Sequence, residues 1–226
     1  ALTPITAALV AGSTVVYKPS EITPLEGLVE SFLERAGIPE DWVQVVYGAG
    51  DVGSQLIDQR PEKIFFTGSV GTGKKIMAQA SQQLIPVELE LGGKDPMLVF
   101  DNVTVERAVQ GALWGALTNV GQSCTSVERL YVQRGIYKDF RDRLVAAAKQ
   151  ITLGIDTDGS SDMGRMTSPR QVSIVSELVN DAKANGATLL CGSEWDGKSE
   201  FIPPIIIEGS THAMRINQEE LFGPVV

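Results

Sequence analysis

Two residue types in this 226-residue chain can carry covalent chemistry, a cysteine and a pair of glutamates. Cys124 lies in Asn119-Val120-Gly121-Gln122-Ser123-Cys124-Thr125, just past a helical stretch, where the glycine permits close approach. A thiol in small, polar surroundings can ionise and attack an electrophile. Packing cysteines sit in apolar runs, as Cys191 does in Leu189-Leu190-Cys191-Gly192. Placement alone leaves Cys124 open between a nucleophile and a structural thiol. A nucleophile needs a base. The single histidine, His212, stands in a polar turn before Ala213-Met214-Arg215, and reads as an exposed turn residue or as half of a Cys–His pair. The other candidates are Glu88 and Glu90 in Glu88-Leu89-Glu90-Leu91-Gly92-Gly93-Lys94, which share one face of a strand. A carboxylate partly desolvated at a strand end has a raised pKa and can act as a general base. The alternative is two acids facing solvent on an edge strand.

Gly68-Ser69-Val70-Gly71-Thr72-Gly73-Lys74-Lys75 follows a strand and opens a helix from about residue 73. Glycines there let backbone amides approach a phosphate at a helix N-terminus. The pattern nearly satisfies G-x-x-x-x-G-K-[ST], but Lys75 stands where the magnesium-binding hydroxyl belongs. It is not G-x-G-x-x-G either. A structural turn with tight strand-to-helix packing explains it equally well.

The elements that must hold these residues alternate. β-rich runs at 14–17, 43–47 and 63–67 are separated by helical stretches at 1–11, 23–37 and 52–59, and a further helix covers 73–83. Thr23-Pro24-Leu25-Glu26 reads as a capping box with Pro at the first helical position. Beyond the Gly92-Gly93 pair, strands are expected at 96–100, 127–133, 187–190 and 201–208. Helices are expected at 104–120, 137–151 and, behind a second capping box at Ser168-Pro169-Arg170-Gln171, up to Gly186. This alternation predicts an α/β fold with doubly wound parallel sheets, divided near residue 90 into two domains, 1–89 and 90–226.

Composition bounds the partners. The net charge of −9 argues against nucleic acid, and no apolar run approaches membrane-spanning length. Two cysteines and one histidine provide neither a disulfide framework nor a zinc site, so no metal and a cytoplasmic setting are expected. The apolar ends, 1–11 and Phe222-Gly223-Pro224-Val225-Val226, read as those of an internal segment of a longer protein.

Taken in order, the segments resemble the aldehyde dehydrogenase superfamily. Glu90-Leu91-Gly92-Gly93-Lys94 resembles its glutamate active-site motif and Gly121-Gln122-Ser123-Cys124 its cysteine motif, with the family's separation of 34 residues. Lys18-Pro19-Ser20-Glu21 is similar to the segment holding the adenosine ribose. Phe66-Thr67-Gly68-Ser69 is similar to the turn under the pyrophosphate, and Glu219-Glu220-Leu221-Phe222-Gly223-Pro224 to the late motif whose second Glu grips the nicotinamide ribose.

The resemblance implies an NAD(P)-dependent oxidation of an aldehyde to a carboxylate, with Cys124 as nucleophile and Glu90 as base. It implies cofactor contacts at Lys18, Ser20, Glu21, Gly50, Gly68, Ser69, Leu91, Gly92, Glu220 and Phe222. It gives no role to Cys191 or His212, and turns the near P-loop into the family's cofactor turn. It further implies a partial Rossmann-like cofactor domain followed by most of a catalytic domain, in a parent that is a homodimer or homotetramer. Half of the oxyanion hole falls to the Cys124 amide. The other half, a side-chain Asn, has no matching position, so the segment alone is expected to be inactive. Glu21 favours the free ribose hydroxyls of NAD over NADP. Departures are Gly164-Arg165-Met166, where the family often has Gly-Pro, and the extra acid Glu88. A coenzyme-A-acylating relative, which typically lacks the base, and a P-loop nucleotide-binding module are the alternatives.

Overall fold

Short β-branched runs and the helices between them form two compact units, Ala1–Leu91 and Gly92–Val226, in a computed structural model that describes residues 2–226. The first unit runs α1 (Leu2–Val10), β1 (Val15–Tyr17), α2 (Leu28–Arg35), β2 (Val43–Val45), α3 (Gly50–Asp58), β3 (Ile64–Gly68), α4 (Val70–Ser81) and β4 (Val87–Leu91). β1 pairs with β2 and β3 with β4, both parallel, with Gly68 opposite Leu91. Parallel neighbours need a crossover, and α2 and α4 provide the two crossovers. Ile57, Ala80 and Ile85 form the small core beneath α3 and α4.

Three local expectations change. The capping box at 23–26 does not form, because Leu25 and Gly27 adopt left-handed φ of 47° and 78°; the helix starts only at Leu28. Left-handed residues cannot belong to a right-handed first turn. Conversely, α4 starts at Val70, not near 73, because the Ser69 hydroxyl caps it by accepting from the Thr72 N–H at 3.3 Å. Glu90 belongs to the first unit rather than to the second domain, since it lies on β4 opposite Thr67 of β3.

The second unit runs β5 (Asp95–Val99), α5 (Val105–Leu117), β6 (Val127–Val132), α6 (Tyr137–Ala148), α7 (Pro169–Ala184), β7 (Thr188–Cys191) and β8 (Ile206–Glu208). α5 crosses over between the parallel strands β5 and β6. β7 and β8 pair antiparallel, a departure from an all-parallel sheet; their connection contains no helix to carry the chain back to the same end. Buried stripes on α5 (Ala108, Val109, Ala112, Ala116, Leu117), α6 (Phe140, Leu144, Ala148) and α7 (Val172, Val175, Leu178, Ala182) build the core. Their spacing is that of one helical face. Ser168 occupies the N-cap of α7 with Pro169 at N1, but its side chain makes no capping bond.

The β5–β6 ladder is irregular at one point. Asp95 pairs with Val127 and Pro96 with Arg129, so Glu128 is an unpaired extra residue in β6. Pro96 has no N–H to give the ladder, and a bulge is where a strand tolerates a proline.

α6 is tied to β8 through Glu208, whose carboxylate accepts from the Tyr137 hydroxyl and, at 3.1 Å, from Arg141. Burial, then Glu208, push the Tyr137 hydroxyl up to about 12. Tyr137, then Arg141, hold the Glu208 carboxyl below its ordinary pKa. A depressed carboxyl stabilises fully above the ordinary carboxylate pKa of about 4.3 and loses that contribution as pH falls through the lower folded value. Glu208→Gln should therefore lower stability at pH 7, with the deficit shrinking in denaturation curves taken towards pH 3. A deficit unchanged across that range contradicts the assignment.

Candidate active site

The residues before Cys124 are held in an uncommon conformation. After α5, Asn119 (φ 53°, ψ 36°), Val120 (φ 62°, ψ 30°) and Gly121 (φ 69°) are all left-handed. A β-branched residue there is strained, yet Val120 is only 4% exposed, so its packing holds it. Asn119 and Gln122 lock the turn reciprocally: Asn119 Nδ2 donates to the Gln122 carbonyl at 3.0 Å and Gln122 Nε2 to the Asn119 carbonyl at 3.1 Å. Gln122 Oε1 also accepts from the Thr167 N–H at 2.8 Å. The chain then closes a tight turn, Ser126 N–H to the Ser123 carbonyl at 3.1 Å, with Cys124 and Thr125 at its tip. Buried Ser126 donates to carbonyls at the end of α5.

Cys124 is thus exposed on a pinned turn. Cys191 is buried on β7, its thiol donating to the Pro204 carbonyl at 3.2 Å, and burial pushes its pKa up. Thiolates react and buried thiols do not. Native-state alkylation with iodoacetamide should therefore label Cys124 alone by peptide mass, and label Cys191 only after unfolding. Comparable native rates at both contradict this.

Glu88 and Glu90 share the exposed face of β4. They differ in partners: Glu88 makes an ion pair at 2.6 Å with Lys63, the residue just before β3. His212 is exposed, and its ring stacks on Tyr131 with centroids 5.8 Å apart.

The late motif is tied to the strand that carries the cysteine loop onward. Glu128, its side chain 2% exposed, receives the Lys94 ammonium at 2.5 Å and the backbone N–H groups of Leu221 (3.0 Å) and Phe222 (2.9 Å). Burial pulls Lys94 below its ordinary pKa while Glu128 pushes it back up. Phe222 is left-handed (φ 48°), and Gln171 Nε2 holds the Leu221 carbonyl at 2.6 Å. The preceding residue, Glu220, lays its carboxylate on Gly92, where an added Cβ would meet an oxygen at 2.0 Å. Burial, then the charge of Glu128, push Glu220 above its ordinary pKa. Glu128, Lys94, Asn119, Gln122 and Gln171 went unassigned from sequence; the one available signal was Pro96 inside a strand pattern.

In the first unit, Lys18 follows β1, and its ammonium donates to the carbonyls of Pro19 and Gly48, each at 2.7 Å, with Glu21 at 3.7 Å. Ser20 accepts from the Ile22 N–H. Gly50 opens α3, and Gly68 closes β3 one residue before the Ser69 cap. These positions follow the carboxyl ends of parallel strands, where α/β proteins bind ligands. Gly71 and Gly73 lie inside α4, so the P-loop resemblance fails structurally: no loop separates β3 from the helix except Ser69. Gly73 is needed for another reason, since Leu91 packs where its Cβ would be.

Two glycines separate rigid from yielding contacts. A Cβ at Gly121 would lie 2.2 Å from the Gly223 carbonyl oxygen, which is backbone, at a left-handed φ. Left-handed strain of about 1–2 kcal/mol and overpacking of about 1–3 kcal/mol both apply. Gly121→Ala should cost about 3 kcal/mol in urea unfolding, whereas Gly92→Ala displaces only a flexible carboxylate and should cost far less. Equal losses contradict the geometry.

The sequence model of the aldehyde dehydrogenase family matches residues 1–226, and the chain belongs to that family. A 4,4'-diapolycopene aldehyde oxidase of Methylomonas sp is 41% identical over 224 residues, 99% of this chain and 42% of the relative. A betaine aldehyde dehydrogenase of Brucella ovis is 41% identical over 227 residues, 97% of this chain and 46% of the relative. The structure of betaine aldehyde dehydrogenase from Staphylococcus aureus in complex with NAD+ superposes with a TM-score of 0.91 at 36% identity, covering 99% of this chain and 46% of that one. The chain thus spans under half the length of these relatives. Among the described residues no helix is long and apolar enough to cross a membrane.

Proposed function

We propose that this chain carries the nucleophile and the base of an enzyme that oxidises an aldehyde to a carboxylate with a nicotinamide dinucleotide. The observation that carries this is Cys124: an exposed thiol at the tip of a turn, pinned by a left-handed segment that packing and the Asn119–Gln122 pair enforce. Such a thiol is accessible on a turn held by hydrogen bonds, which suits a nucleophile. The family relatives named above as aldehyde oxidase and aldehyde dehydrogenases supply the substrate class.

The Cys124 thiolate adds to the aldehyde carbon, giving a thiohemiacetal whose oxyanion takes a hydrogen bond from the Cys124 backbone N–H. A bound nicotinamide supplies the acceptor for the hydride lost from that carbon. The product on Cys124 is a thioester. Glu90 takes a proton from water, whose oxygen attacks the thioester carbon; the carboxylate leaves and the thiolate returns.

The residues present fit a dinucleotide. α4 offers free backbone amides behind a Ser69 cap, has no acidic residue in its first turn, and leaves open space beside Gly71. A diphosphate suits that helix end. Lys18, Ser20, Glu21 and Gly50 would hold the adenosine ribose, Gly68 and Ser69 the diphosphate, and Leu91, Gly92, Glu220 and Phe222 the nicotinamide ribose. Glu21 beside Lys18 favours free hydroxyls, hence NAD+ over NADP+, because a 2′-phosphate next to a carboxylate is repelled.

In the protein containing this chain, Cys124→Ala should lower aldehyde-dependent NADH formation by at least about 10³-fold. Glu90→Gln should leave the first turnover intact and slow the steady state by about 10²-fold or more, with an acyl adduct on Cys124 visible by mass spectrometry. Full activity in Cys124→Ala contradicts the proposal.

A further inference from the structure

Glu128 is the one buried carboxylate among the described residues, and the chemistry above does not use it. It is 2% exposed at the side chain, sits on a bulge forced opposite Pro96, and meets the Lys94 ammonium and two backbone N–H groups. Those N–H groups belong to Leu221 and Phe222, the two residues directly after Glu220. Phe222 is a non-glycine residue in the left-handed region, a conformation that persists only where neighbours enforce it. Without an acceptor at its N–H, the turn would relax and carry Glu220 with it. Lys94 stands two residues after Gly92, the surface on which the Glu220 carboxylate rests. One buried carboxylate therefore fixes both sides of the Glu220–Gly92 contact, from the strand that continues out of the cysteine loop.

We propose that Glu128 is a positioning residue: through the Leu221 and Phe222 amides it sets where Glu220 presents its carboxylate to the cofactor ribose. This rests on the cofactor role given to Glu220. Glu128 touches neither substrate nor cofactor in this account. The part of its effect that passes through Glu220 is read by non-additivity, because two groups acting through one contact do not add.

The test is a double-mutant cycle on the protein containing this chain, read by NADH fluorescence titration rather than turnover. Lys94→Met with Glu128→Leu removes the amide acceptor without leaving a buried charge uncompensated. NADH Kd should rise about tenfold in the parent background, a loss of about 1.4 kcal/mol, and by less than about twofold when Glu220 is already Ala. Glu128→Asp, which keeps the charge and shortens its reach, replaces that pair if it does not fold, with the same pattern expected. An equal rise in both backgrounds, or no rise in the parent, overturns the role of Glu128 alone. A Glu220→Ala variant that binds NADH as the parent does overturns the cofactor reading itself, and the role of Glu128 with it.

Discussion

The Glu128 carboxylate, buried and filled by one ammonium and two backbone N–H groups, is the interaction on which the joint between β5, β6 and the late motif depends. It joins three segments distant in sequence: the start of β5 through Lys94, the start of β6, and the late motif at 221–222. Each of those segments borders a residue assigned to chemistry or binding: Gly92, Cys124 and Glu220. Arg129, next on β6, adds a bond from its guanidinium to the Lys94 carbonyl.

Magnitudes separate stability from geometry as the role of such a pair. Replacing a buried ion pair with apolar residues is often neutral or stabilising, whereas removing one partner costs about 3–5 kcal/mol. Net stability is therefore a weak reason for Lys94 and Glu128. Geometry is a stronger one, because the turn they hold is strained at Phe222, and strain of about 1–3 kcal/mol needs over-determined surroundings. The same arrangement recurs at Val120, where packing and the Asn119–Gln122 bonds enforce a left-handed β-branched residue ahead of Cys124. The two strained turns touch, since Gly121 lies against the Gly223 carbonyl. The Cys124 loop and the late motif are in direct contact.

Much of the architecture was legible in the sequence. Element types followed from period and composition, and α5, α6 and α7 begin within one residue of the expected positions because their apolar faces and flanking residues agree. The failures were local. The capping box at 23–26 obeyed the pattern but lost to left-handed Leu25 and Gly27, which no pattern of side chains announces. β8 paired antiparallel because the connection from β7 lacks a helix, although the sequence there contains strand-forming residues. Cys124 and Glu90 were visible as motif residues. Glu128 was not, because a strand pattern assigns faces by strict alternation and the bulge opposite Pro96 breaks it.

Amide hydrogen exchange at Leu221 and Phe222 tests the central claim most directly. If both N–H groups are held by a buried carboxylate, they exchange as slowly as the buried amides of α7, with protection near that of global unfolding. Exchange at the rate of the exposed loop at 156–159 would contradict the account, because the late motif would then be free of Glu128.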